Sequence, residues 1–83
     1  MDKKFKQPQP GTTLQDFLLH YTYVNSIVVI KDEVGWQLGI TYIDHEDRFI
    51  HSLNDNLLKR IVRNVKMEEM PWANEPVISI SVF

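Results

Sequence analysis

Apolar and polar residues alternate along this chain with two different periods, and the changes of period mark its elements. After Thr12, the residues Leu14, Phe17, Leu18 and Tyr21 fall at i, i+3, i+4 and i+7, the stripe of a helix of about two to three turns. Thr12 and Gln15 have the spacing of a capping box, so Thr12 is the expected N-cap. His20 lies beside this stripe, where a surface or half-buried histidine is the plain reading.

A strand is expected over residues 24–31. Its centre, Ile27-Val28-Val29-Ile30, is β-branched throughout and apolar on both faces, which suits a central strand covered on each side. Asp32-Glu33-Val34-Gly35 supplies a turn, and residues 36–43 answer as the second strand of a hairpin. There Trp36, Leu38, Ile40 and Tyr42 face one way and Gln37, Gly39 and Thr41 the other. Gly39 inside a strand marks either a bulge or a place where another group packs close to the backbone.

Residues 44–48 form a charged loop, and Phe49-Ile50-His51 reads as a short extended piece. Ser52, Asn54 and Asp55 compete as helix caps before Leu57-Leu58. Two continuations fit: one helix from residue 53 to about 66, or a short helix ending near Arg60 and a strand over residues 62–69 with Val65 and Met67 inward. The second is preferred, because the carboxyl-terminal strand needs an antiparallel neighbour and residues 70–76 sit where a hairpin loop belongs. That final run alternates cleanly: Ile78, Ile80 and Val82 share one face, and Val77, Ser79, Ser81 and Phe83 share the other. A chain that stops inside a strand is expected to close a sheet with it.

The resulting order is α-β-β-α-β-β. It predicts an α+β fold, a four-stranded, mainly antiparallel sheet with the helices packed against it, over residues 12–83. Residues 1–11 read as a flexible basic arm in which Lys3, Lys4 and Lys6 surround Phe5, and a proline-stiffened approach leads to a turn at Gly11.

Composition narrows the function classes. At 83 residues the chain is one small domain of marginal stability. It has no cysteine, which removes disulfides and thiolate chemistry together. A small core without such staples favours self-association, so a homodimer is expected. A net charge of −2 supplies no field to gather nucleic acid or an anionic membrane, and too little acid to imitate DNA. No apolar run is long enough to cross a bilayer, and no hydrophobic segment follows the amino-terminal lysines. A cytoplasmic protein is the expectation.

Candidate chemistry is sparse. Asp44-His45-Glu46-Asp47, with His51, carries suitable ligands for a divalent cation but no recognised ligand spacing, and a solvated loop is the preferred reading. Lys59, Arg60, Arg63 and Lys66 form the densest basic group. Nucleic-acid contact there is the alternative to a polar face balanced by Glu68 and Glu69. Tyr21, Tyr23, Trp36 and Tyr42 lack a basic stripe and are assigned to the core rather than to base stacking. No serine sits in a nucleophile-elbow context and no glycine-rich phosphate loop exists, so no catalytic, cofactor or metal residue is assigned. Met70-Pro71-Trp72 either folds back over the core, the commoner outcome for such a loop, or stands out as an anchor for a protein partner, together with Phe83.

The chain resembles a loose group of small uncharacterised proteins from bacteriophages and mobile elements of Gram-positive bacteria. The resemblance is carried by Thr13-Leu14-Gln15-Asp16-Phe17-Leu18, by Val28-Val29-Ile30-Lys31-Asp32, by Leu57-Leu58 and by the closing hairpin. It spans about residues 12–83, and it departs from the group in the arm, in the 44–48 loop and in the long 70–76 connection. The resemblance implies a cytoplasmic phage accessory protein with no catalytic residues. One specialisation it suggests is an inhibitor of host defence, such as an anti-CRISPR, that acts by covering a protein surface.

Overall fold

The structure, a computed structural model, describes residues 5–22, 25–43 and 53–83. The elements run α1 (Leu14–His20), β1 (Ser26–Lys31), β2 (Gln37–Ile43), α2 (Asp55–Leu58), β3 (Val62–Glu68) and β4 (Val77–Val82). This is an α+β fold with the expected order. Of the two continuations after α2, the strand is the one that forms: Asn54 caps a single turn of helix by accepting from Leu57 N–H at 2.8 Å, and Val62 opens β3. The helix stays short because β4 offers β3 a full ladder, a larger gain than continuing an isolated short helix.

The first cap differs from expectation by one residue. Thr13, not Thr12, is the N-cap of α1, its hydroxyl accepting from Asp16 N–H at 3.2 Å. Thr12 is engaged elsewhere, donating its hydroxyl to the Gln9 carbonyl at 2.6 Å. Its own carbonyl accepts from Val62 N–H, and Leu14 N–H donates to the Arg60 carbonyl, so the start of α1 is tied to the start of β3.

The sheet order is β2-β1-β4-β3. Two antiparallel hairpins, β1–β2 and β3–β4, lie side by side and are joined by a parallel pairing in which Val28 stands opposite Ile78 and Ile30 opposite Ile80. The sheet is therefore mixed, with two of its three pairings antiparallel. β1 and β4, the two most apolar strands, occupy the centre, as their composition requires.

Both helices cover the same face. Leu14, Phe17 and Leu18 of α1 and Leu57 of α2 pack with Val28, Ile30, Ile43, Val62, Val65, Ile78, Ile80 and Val82 in one core. The loose arm expected at the amino terminus is anchored from Phe5 onward. Phe5 is buried in that core with its ring 6.0 Å from Phe17, and Lys6 N–H donates to the Tyr21 carbonyl. Tyr21 in turn stacks on Phe17 at 5.9 Å. A small core gains more from one further aromatic ring than the arm loses in freedom. Among the described residues, no helix is long and apolar enough to cross a membrane.

Candidate interaction surface

The face of the sheet opposite the helices is where the exposed side chains gather. The register places Tyr42 beside Ile27 and Ile40 beside Val29 on this face, while Thr41 and Gly39 point with Val28 and Ile30 toward the helices. The β2 face that meets α2 thus carries Gly39, Thr41 and the buried Ile43. Leu38, Ile40 and Tyr42 point the other way and stand 38%, 40% and 48% exposed. Val29 and Val77, on the same open face, are buried, so the exposed apolar stripe belongs to β2, the edge strand.

Two expectations are corrected here. Tyr42 and Trp36 do not join the core expected for them: Tyr42 is about half exposed and Trp36 is 74% exposed. The register passes from Ile30↔Gly39 to Lys31↔Gln37, so an irregularity between Gln37 and Leu38 interrupts the alternation that would have carried Trp36 along with Leu38. Trp36 instead closes the hairpin turn, where its N–H donates to Asp32 Oδ1 at 2.9 Å and its carbonyl accepts from Asp32 N–H. Val34 N–H donates to the same Oδ1 at 3.0 Å, and Gly35 takes φ +99°.

The other half of the open face is polar. Asn64, Lys66 and Glu68 of β3 stand opposite Ser81, Ser79 and Val77 of β4. Lys31 reaches across β4 to Glu68, Nζ to Oε1 at 3.0 Å. The Lys31 hydrogen bond, then one from the Ser79 hydroxyl, hold the Glu68 carboxyl below its usual value, aided by the charges of Lys31 and Lys66 and opposed by partial burial. Where β1 and β4 end, a shallow depression of about 250 Å³ is lined by Lys31, Asp32, Arg63, Lys66, Ser79 and Ser81 among others. Charges of both signs line it, so it carries no clear preference for an anion or a cation.

Met70 and Trp72 precede β4 and Phe83 follows it. The six residues of that strand put them at opposite ends of the sheet, about 20 Å apart. They do not form one patch. Trp72 does not fold back over the core: it stands 55% exposed in the 70–76 connection, with Met70 half-buried nearby in sequence. Phe83 is exposed as well, its N–H donating to the Ile61 carbonyl and its carbonyl accepting from Arg60 Nη1 at 3.4 Å.

The basic group is likewise dispersed. Lys59 and Arg60 follow α2, while Arg63 is the extra residue where the register passes from Val62↔Val82 to Asn64↔Ser81. Lys66 lies on the open face beside the Lys31–Glu68 pair. Lys3, Lys4 and the Asp44-His45-Glu46-Asp47 cluster with His51 lie outside the described residues. Among the described residues, no group of three or more histidine or acidic side chains could hold a metal ion.

Leu38 and Ile40 are the surface residues that pattern alone did not single out. The available signal was Gly39: a glycine in mid-strand implies close approach from its own side, which leaves its neighbours on the far side. Comparison of the chain with family models, with curated proteins and with solved structures finds no match.

Proposed function

We propose that this protein is a small non-enzymatic interaction module that docks onto other protein surfaces, its own copy included, through the exposed apolar stripe on its edge strand β2. The observation that carries this reading is the stripe of Leu38, Ile40 and Tyr42 on an edge strand, each more than a third exposed. Contiguous apolar surface is costly to leave in water and marks interaction sites more often than singly scattered residues do. Trp72, more than half exposed, adds a separate contact of the residue type that dominates interface energetics. The resemblance to phage and mobile-element proteins supplies the setting in which such a module would act, the cytoplasm of a bacterial host.

The test is capture from a nuclease-treated bacterial lysate on immobilised protein, with the double variant Leu38→Asp, Tyr42→Asp alongside. Proteins retained by the unaltered chain and lost with the variant support the reading. An identical set on both columns overturns it.

A further inference from the structure

We infer that the outer edge of β3, from Asn64 to Glu68, takes an extended acidic segment of a partner protein as a further, antiparallel strand of the sheet. This site lies on the opposite edge from the β2 stripe and does not rest on it.

The start of this edge is already occupied, and in the same manner. Thr13 bridges Ile61 antiparallel, with Val62 N–H donating to the Thr12 carbonyl and Leu14 N–H to the Arg60 carbonyl. Followed backward from Thr12, a chain that stayed extended would run on beside Asn64. Instead Thr12 N–H donates to the Gln9 carbonyl, Gly11 takes φ +87°, and the chain turns away. Among the described residues, no backbone group of residues 63–68 bonds to a further segment beyond β4. After the bulge at Arg63, residues 64–68 keep a regular register with β4, so alternate N–H and C=O groups face outward in step. Where the chain turns away, a groove of about 400 Å³ stays open between residues 7–11 and 61–65, walled by Pro8, Pro10, Val62, Val65 and Phe83.

The charge of the edge selects the occupant. Arg63 and Lys66 are exposed, and among the described residues neither forms an ion pair; the pair on this face joins Lys31 to Glu68. Arg63 Nη2 reaches a main-chain carbonyl, that of Glu33, at 3.5 Å, which leaves its charge uncompensated. Lysine on an edge strand deters indiscriminate pairing, and a second copy of β3 would bring the same cations with it. A strand with acidic residues beside Arg63 and Lys66 meets opposite charges across the ladder. On the helix side Val65 and the 38% exposed Met67 call for apolar neighbours, and the groove gives one of them room. A phosphate backbone would answer the two cations but has no donor for the outward carbonyls, so the edge favours a polypeptide over a nucleic acid.

The probe is a blocked pentapeptide, threonine-valine-glutamate-valine-glutamate. Run antiparallel, it sets threonine beside Glu68, a glutamate beside Lys66 and the last glutamate near Arg63. Single-strand contacts are weak, so it is titrated into the full chain up to about 5 mM and followed by amide NMR. Shifts centred on residues 63–68, with slowed amide exchange there, are expected. The same peptide with lysine for glutamate leaves those amides unmoved. The double variant Arg63→Glu, Lys66→Glu, both at exposed positions, weakens binding about tenfold or more, with folding checked by circular dichroism.

Two N-methylated peptides, blocking alternate amides in the two possible phases, report on the backbone independently of charge. One phase removes the amides that face β3 and loses binding; the other removes those that face solvent and keeps it. Leu38→Asp, Tyr42→Asp binds the peptide as the parent does, which keeps this result separate from the lysate capture.

No shift at residues 63–68 over the whole titration overturns the inference. So does binding that survives the double charge reversal, or that is indifferent to the phase of N-methylation. Stronger shifts at the same amides from single-stranded oligothymidine would put nucleic acid on this edge and overturn it as well.

Discussion

The Cβ that Gly39 lacks would lie 3.0 Å from Cδ2 of Leu53, and 3.2 Å from Cδ2 of Leu57. Two leucines before and within α2 therefore occupy the volume that any other residue at position 39 would claim. Both contacts are to the ends of side chains, which can yield by a few tenths of an ångström. Gly39→Ala also gains about 0.4–1 kcal/mol by restricting the unfolded chain, so it is expected within about 1 kcal/mol of the parent. Gly39→Val adds two methyl groups that Leu53 and Leu57 cannot both avoid, and it lowers stability by about 1–3 kcal/mol. Urea unfolding of the two variants reads the difference.

Phe5 tests whether the amino-terminal segment is part of the folded unit. Its burial against Phe17 predicts that Phe5→Ala costs about 3 kcal/mol. In a domain this small that corresponds to a fall in Tm of more than about 10 °C. Pro8→Ala, in the same segment but outside the core, leaves Tm nearly unchanged. Calorimetry on both separates docking from mere proximity.

Asp32 holds the β1–β2 turn by accepting from Val34 N–H and Trp36 N–H through one oxygen. Asp32→Ala leaves both donors to water and is expected to cost about 1–2 kcal/mol. Asp32→Asn keeps an acceptor in place and recovers most of the loss. Amide exchange at Val34 and Trp36 accelerates in the alanine variant and not in the asparagine one.

Glu68 contributes a pH-dependent increment of known sign. Its folded-state pKa lies below the usual 4.5, held there first by the Lys31 hydrogen bond. A depressed carboxyl pKa stabilises the fold above the unfolded value, and the gain is lost as pH falls through the folded value. Glu68→Gln is therefore less stable than the parent at about pH 7, and the difference shrinks as the pH falls below the ordinary carboxyl value of 4.5. The difference stays below about 1 kcal/mol because the Lys31–Glu68 pair is partly open to solvent. Added salt narrows it further, which chemical denaturation at two salt concentrations detects.

Much of the secondary structure was legible because it is written in local periods. The alternation of Val77-Ile78-Ser79-Ile80-Ser81-Val82 and the unbroken Ile27-Val28-Val29-Ile30 give two strands, the second of them suited to the centre of the sheet. The Asp32 turn and the Asn54 cap follow from side chains that reach their own neighbouring amides. The N-cap of α1 was misplaced by one residue because Thr12 and Thr13 offer the same hydroxyl. Only the contact of Thr12 with Gln9 and Val62 decides between them. The candidate surface was harder to see. Apolar residues at alternate positions of β2 look core-facing, and Trp72 in a proline-bounded loop looks equally able to cover a core or to leave it.

The order of elements, the two hairpins and the central character of β1 were determined by the sequence, since each depends on residues close to one another along the chain. The parallel joining of β1 to β4 was decided only in three dimensions, as was the burial of Phe5 and the outward turn of Leu38, Ile40 and Tyr42. Those outcomes depend on which of two faces of a strand the helices come to cover. On β2 the room beside Gly39 settled it: Leu53 and Leu57 fill a space that a side chain at position 39 would claim.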